Sequence, residues 1–153
     1  METPIEILPY KSDYAGSFYE LNIEWLQTYF YVESYDEEVL RKPDEYILDK
    51  GGHIFFAKFN RTIVGTLALM PTSNNLEFEL TKMAVSPNYR GQGIGQQLMA
   101  YCIDFAKQQH YKSLILYSNT KLENAIYIYR KFGFIEIPME DNSPCKRGNI
   151  KME

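Results

Sequence analysis

The sequence predicts one mixed α/β domain over residues 1–153, with a mostly antiparallel central sheet flanked by helices. Three observations carry that reading. A chain of 153 residues with 45% hydrophobic and 24% charged residues has the size and composition to bury a single core. Apolar residues alternate with period two in some stretches and recur at helical spacing in others, giving the order β-α-α-β-β-β-α-β-α-β-β. The early strands are joined by short turns, as antiparallel neighbours are, whereas a helix separates two later strands, as a parallel pair requires.

Ile5-Glu6-Ile7-Leu8 alternates like a short first strand, closed by Pro9. From Asp13 to about Tyr31, Phe18, Leu21, Trp25, Leu26 and Phe30 recur at helical spacing, with Ser12 or Asp13 as the cap. A second helical piece over residues 37–49 is interrupted by Pro43 into two short turns of helix and ends at Gly51-Gly52. Residues 53–59 and 62–70 read as a hairpin turned at Asn60-Arg61. Residues 76–85 form the third strand of this block, and strand parity places Glu77, Glu79, Thr81, Met83 and Val85 on one face. After Ser86-Pro87-Asn88-Tyr89, three glycines lead into a helix whose apolar face is Ile94, Leu98, Tyr101, Cys102 and Phe105. Residues 113–118 are nearly continuously apolar, as in a buried parallel strand. Thr120-Lys121-Leu122-Glu123 reads as a capping box opening a helix to Phe132, with Gly133 as its stop. Residues 134–137 and 149–152 supply the last strands.

Charge and cysteine usage exclude several function classes. The formal net charge is −4, from 16 basic against 20 acidic residues, so no basic excess exists to release counterions from nucleic acid or an anionic membrane. Cys102 and Cys145 lie in no CxxC or Cys/His cluster, and His53 and His110 stand alone. Neither a metal site nor a disulfide framework is expected, and Cys145 reads as an incidental thiol. The N-terminus lacks a basic and an apolar signal region, and no run of about 18 apolar residues marks a membrane span. The expectation is a reduced, cytoplasmic protein.

The informative segment is Lys82-Met83-Ala84-Val85-Ser86-Pro87-Asn88-Tyr89-Arg90-Gly91-Gln92-Gly93-Ile94-Gly95. A strand runs into a glycine-rich turn that opens directly into a helix. Converging backbone N–H groups and the positive helix end make an anion site suited to a phosphate or pyrophosphate. Glycine lets the backbone approach the phosphate oxygens, and Arg90 adds a positive charge at the rim. Two nucleotide motifs fail on specific residues. A P-loop needs Lys-Ser/Thr after the last glycine, where Gln96-Gln97 stand. A dinucleotide fingerprint needs glycine in place of Gln96 and an acidic end to the next strand, which here closes with Leu116-Tyr117-Ser118.

Arg90-Gly91-Gln92-Gly93-Ile94-Gly95 resembles the (Gln/Arg)-x-x-Gly-x-(Gly/Ala) motif of the GCN5-related N-acetyltransferase (GNAT) superfamily. The preceding residues 79–85 resemble that family's fourth strand, and residues 125–134 are similar to its A-I-x-L-Y-x-K-x-G-F signature. The three motifs stand in the family's order, and the element order extends the likeness along the chain. Leu21-Asn22-x-x-Trp25 resembles a subset of small bacterial members.

The resemblance implies a GNAT-type sheet and transfer of an acetyl group from acetyl-CoA to an amine, by direct attack in a ternary complex. It implies that Arg90, Gly91, Gln92, Gly93, Ile94, Gly95 and Gln96 cradle the CoA pyrophosphate. The edge of Met83, Ala84 and Val85 would pair with the pantetheine amides, and an N–H near Met83 would polarise the thioester carbonyl. Tyr129 holds the signature tyrosine position, as acid for the leaving thiolate or as a core tyrosine that fixes the sulfur. Glu79, six residues before Val85, matches the catalytic glutamate of some members, as base or as a solvated carboxylate. Many members carry an Asn seven residues before the signature tyrosine, where Leu122 stands here. Asn119 is the preferred substitute for holding pantetheine, and Asn124 the second.

The acceptor pocket is expected from the first helices and their loop, where Trp25, Tyr29, Tyr31 and Glu33 cluster beside Tyr35 and Asp36. Aromatic walls with carboxylates suit a cationic amine, on a small molecule or a peptide. A non-catalytic acyl-CoA-binding or sensor domain on the same fold is the rival reading, and a homodimer is open to the strands after Phe134.

Overall fold

The computed structural model describes residues 5–140 and 148–153. β1 (Glu6–Pro9) leads through a 3-10 turn at Ser12–Tyr14 into α1 (Ala15–Tyr29), α2 (Ser34–Arg41) and α3 (Pro43–Tyr46). Then come β2 (His53–Phe59), β3 (Thr62–Pro71), β4 (Glu77–Val85), α4 (Ile94–Gln108), β5 (Ser113–Ser118), α5 (Glu123–Lys131), β6 (Glu136–Ile137) and β7 (Ile150–Met152). The strands form one seven-stranded sheet in the order β1-β2-β3-β4-β5-β7-β6. Every pairing is antiparallel except β4 with β5. The predicted α/β class and element order both hold, with α3 the shorter of the two pieces around Pro43.

Alternation along β2 and β3 builds two core layers. Phe55, Leu67 and Leu69 pack with Leu98, Met99 and Cys102 of α4, while Ile54, Phe56 and Ala68 pack with Phe18, Leu26, Val39 and Leu40 of α1 and α2. Burial pushes the Cys102 thiol up to about 12, which makes it a packing residue rather than a nucleophile. The Asn60-Arg61 hairpin turn forms with φ of 50° and 72°, the left-handed pair whose twist matches the flanking strands.

Helix starts differ from the sequence reading. Neither Ser12 nor Asp13 caps α1, whose N-cap is Tyr14 without a side-chain bond. The second helical stretch opens earlier than Glu37, because Glu33 and Asp36 form a capping box in which the Glu33 N–H donates to Asp36 Oδ2 at 2.9 Å. The expected box at residues 120–123 does not form. Instead Asn119 Oδ1 accepts the Lys121 N–H and the Asn119 carbonyl accepts the Leu122 N–H, both at 2.9 Å. This side-chain turn delays α5 to Glu123. The last strands are shorter than expected, and Cys145 lies outside the described residues.

One departure shapes the site. Lys82 has φ of 56°, and the β3–β4 register shifts from Ala68↔Thr81 to Thr66↔Ala84. Lys82 and Met83 together oppose Leu67, a bulge that reverses side-chain parity. The single face expected for Glu77, Glu79, Thr81, Met83 and Val85 is therefore corrected. Glu79 and Thr81 look toward α1, whereas Met83 and Val85 turn toward α4, within 4 Å of where a Cβ on Gly95 would stand. The sheet opens just before the bulge. β4 pairs with β5 only through Glu77–Glu79, and Leu116–Ser118 of β5 pair with β7.

Candidate active site

Beside the unpaired end of β4 lies a cleft of about 660 Å³. Its walls are Met83–Val85 of β4, the turn and first residues of α4, and the start of α5. Gly91 and Gly93 have φ of 79° and 80°, and a Cβ on either would stand in open space. Gly93 is the N-cap of α4 and no side chain caps the helix, so the first-turn N–H groups face the cleft without intrahelical partners. The turn is a concave set of donors at the positive end of a helix. Gly95 is needed for neither a positive φ nor a close approach, since a Cβ there makes ordinary contact with Met83 and Val85 at 3.8 and 3.9 Å.

Arg90 does not stand alone at the rim. Its Nε donates to the Val85 carbonyl at 3.0 Å, its Nη2 pairs with the Glu24 carboxylate of α1, and its guanidinium lies 5.4 Å from the Tyr29 ring centre. Across the cleft, Lys121 Nζ donates to the Tyr29 carbonyl at 3.1 Å and sits 4.0 Å from the Phe30 ring centre. The C-terminal turn of α1 is thus held by one cation from each side, where helix-end carbonyls favour positive charge.

A second cavity, about 220 Å³, lies beside the cleft on the α1 face of the sheet. Asn22, Asp36, Glu79, Thr81, Lys82, Ser118 and Asn119 give it polar walls, and Leu26, Phe30 and Leu80 apolar ones. Trp25, Met83, Leu122, Ala125 and Tyr129 line both spaces, so the two meet at Tyr129. Burial pushes the Tyr129 phenol up to about 12, opposed by a hydrogen bond with Ser118. Desolvation is the larger influence, so the phenol keeps its proton at neutral pH. Burial likewise raises the Glu79 carboxyl above its ordinary range, against the pull of Lys82, Thr81 and Lys151. One buried phenol that keeps its proton and one carboxylate made more basic can give and take a proton at neutral pH.

The structure gathers most of the residues singled out in the sequence. Met83, Ala84, Val85, Arg90, Gly91, Gly93, Ile94, Gly95, Gln96, Asn124 and Tyr129 line the cleft, and Glu79 lines the smaller cavity. Gln92 is exposed and outside both. Of the two asparagines expected to hold pantetheine, Asn124 lines the cleft, whereas Asn119 lines the smaller cavity and accepts the Lys121 N–H at its Oδ1. Of the residues expected in the acceptor wall, Trp25 lines both spaces. Tyr29 sits under Arg90 in the cleft, Tyr31 is 57% exposed and lines neither space, and Glu33 is committed to the α2 cap. Sequence reasoning missed Asn22 as a pocket residue, although it stands between Phe18 and Leu26 at helical spacing and interrupts an apolar stripe. It also missed Glu24, Lys82 and Lys121, whose roles come from contacts distant in sequence. Among the described residues, no group of three or more His, Cys, Asp or Glu is placed to hold a metal, and no helix is long and apolar enough to cross a membrane.

Comparison with known proteins agrees with this geometry. N-acetyltransferase 8B of Rattus norvegicus is 31% identical over 93 residues, a match covering 58% of this chain and 42% of the rat protein. The chain thus spans less than half the length of that curated relative. A GNAT-family acetyltransferase from Staphylococcus aureus Mu50 superposes with a TM-score of 0.85 at 26% identity, covering 97% of both chains. The PaiA N-acetyltransferase of Thermoplasma acidophilum, solved with coenzyme A, superposes with a TM-score of 0.75 at 20% identity, again over 97% of both. The family described as Acetyltransferase (GNAT) matches residues 19–134, which include the glycine turn, the split sheet and Tyr129, and the chain belongs to that family.

Proposed function

We propose that this chain is an acetyl-CoA-dependent N-acetyltransferase that passes an acetyl group to a primary amine by direct attack in a ternary complex. The observation that carries the reading is the junction. A long cleft with an anion cradle and a polar cavity share one buried tyrosine, so a thioester held in the first and an amine held in the second meet beside Tyr129.

The residues present fit coenzyme A. Positive φ at Gly91 and Gly93 turns successive amides toward the open space that any Cβ there would enter, which is a seat for pyrophosphate oxygens. The β4 edge at Met83–Val85 has no β5 partner alongside, so its backbone groups are available to the amides of a pantetheine arm. Asn124, in the cleft wall, is placed to assist. Bound acetyl-CoA supplies the activated acetyl group. The chain's own part is to hold it, to exclude water and to manage two protons. Glu79, with its raised carboxyl, takes a proton from the acceptor ammonium directly or through water. Tyr129, held protonated by burial, donates its hydrogen bond to the leaving sulfur.

The test is thiol release from acetyl-CoA across a panel of primary amines, with thermal stabilisation by CoA, ATP and NAD measured alongside. Release with at least one amine, together with stabilisation by CoA alone, is the expected result. Stabilisation by CoA without turnover for any amine, and no effect of Tyr129→Phe, would instead make the chain an acyl-CoA-binding or sensor domain.

A further inference from the structure

Asn22 is a polar residue in an apolar place. It is 4% exposed, on the α1 stripe between Phe18 and Leu26 that packs onto the sheet. Its Nδ2 donates to the Phe18 carbonyl at 3.0 Å, and this bond fixes the amide, since the flipped orientation would set two oxygens against each other. No hydrogen bond to Asn22 Oδ1 exists among the described residues. Yet no buried side-chain polar atom of those residues lacks a partner, so Oδ1 keeps some exposure, and the open space beside this otherwise buried residue is the cavity that Asn22 lines. A buried side chain thus presents a fixed, unpartnered acceptor to the smaller cavity.

Its position says which part of a bound molecule it meets. Trp25, one turn further along α1, lines both spaces and stands at the junction, whereas Asn22 lines the smaller cavity only. The reacting nitrogen must lie at the junction with Tyr129. Asn22 therefore faces a portion of the acceptor away from that nitrogen, in a space whose apolar walls include Leu26, Phe30 and Leu80. The neighbouring carboxylate of Glu79 adds negative potential to the same space.

We propose that Asn22 is a specificity-determining residue whose carbonyl oxygen reads a second hydrogen-bond donor on the acceptor, so that the substrate class is a small primary amine with a second N–H-bearing group at the far end of an apolar spacer. This inference rests on the acetyl-transfer reading of the same site. An amine lacking the second group leaves Asn22 Oδ1 desolvated and unpaired, and such a penalty of about 1–3 kcal/mol corresponds to roughly 5- to 150-fold in kcat/KM.

The test compares α,ω-diaminoalkanes of three to six carbons with n-alkylamines one carbon longer, which match them in size. Thiol release gives kcat/KM, and calorimetry on the CoA-loaded protein gives amine affinity. The wild-type chain should favour a diamine over its matched monoamine by at least about fivefold, and Asn22→Leu should bring the ratio close to one. Asn22→Asp keeps an acceptor oxygen, so it should retain or enlarge the preference. CoA-induced stabilisation shows that each variant is folded, and Asn22→Asp carries the test if the leucine variant is not. Turnover with a ratio that Asn22→Leu leaves unchanged, or a preference lost in Asn22→Asp, overturns the role of Asn22. Diamine-selective binding that Asn22→Leu abolishes, without turnover by the wild type, supports Asn22 and overturns acetyl transfer. Neither turnover nor selective binding overturns both.

Discussion

Tyr129→Phe removes a single hydroxyl and keeps the ring that packs edge-on to Phe134, so it separates chemistry from packing. Burial holds the phenol protonated well above neutral pH, so in the proposed reaction Tyr129 meets the departing thiolate as a hydrogen-bond donor. A hydrogen bond to a charged partner contributes about 1.5–3 kcal/mol, which predicts a loss in kcat of roughly 10- to 150-fold with little change in KM for acetyl-CoA. The assay is thiol release as a function of pH, using an amine that the wild-type chain accepts. Because the phenol is held so high, the wild-type profile should carry no alkaline limb due to Tyr129 below about pH 10. A variant within twofold of wild type would refute the role. So would an alkaline limb below about pH 10 that disappears in Tyr129→Phe, since the phenol would then titrate at its ordinary value.

Three further outcomes follow from the same geometry. Burial raises the Glu79 carboxyl in the folded state above its unfolded value, so the stability it contributes is present at low pH and is lost as pH rises through the folded value. Glu79→Gln should thus melt higher than wild type at pH 7, converge with it near pH 4, and lose the acidic limb of the kcat/KM profile. Gly93→Val, at φ of 80°, should abolish CoA-induced thermal stabilisation and lower the melting temperature modestly, whereas Gly95→Ala, whose Cβ meets only Met83 and Val85 at 3.8 and 3.9 Å, should melt like wild type. Glu24→Gln releases Arg90 from its carboxylate partner, so calorimetry at low salt should show tighter CoA binding, with the gain shrinking as salt is added. Unchanged affinity would mean that the Arg90 charge is not directed at the phosphates.

The parts of the site legible in the sequence are those made by short stretches of chain. The cradle needs only a strand, two left-handed glycines and a helix start, all within residues 82–95. The face of α5 is equally local, and Leu122, Ala125 and Tyr129 do line the cleft together. The bulge at Lys82 was not legible, because the residue that adopts the left-handed conformation is a lysine rather than the glycine that marks most such sites. Alternation alone then carries Met83 and Val85 to the face of Glu79, and the register of β3 against β4 is what moves them away. That reversal shapes the site: it turns Glu79 toward the smaller cavity while Met83 and Val85 turn toward the α4 side of the cleft.

The tyrosines and carboxylates expected on the acceptor side are neighbours in one dimension, and the fold distributes them among different surroundings. Glu33 was drawn into the cap of α2, where its N–H meets Asp36, and Tyr29 into the clasp beneath Arg90. The pocket residues are instead polar side chains set where the helix pattern calls for apolar ones. Asn22 shares its stripe with Phe18 and Leu26, and Asp36 lies 4% exposed on α2 beside Val39 and Leu40. A buried polar group is costly unless it is satisfied, so its presence on a core-facing stripe indicates either an internal partner or an opening onto a cavity. Asn22 has both, its amide nitrogen on Phe18 and its oxygen at the cavity. The same helix carries Glu24 and Tyr29 to Arg90 of the cofactor turn. α1 thus joins β4 and the start of α5 in linking the cleft with the smaller cavity, since each of the three lines both spaces.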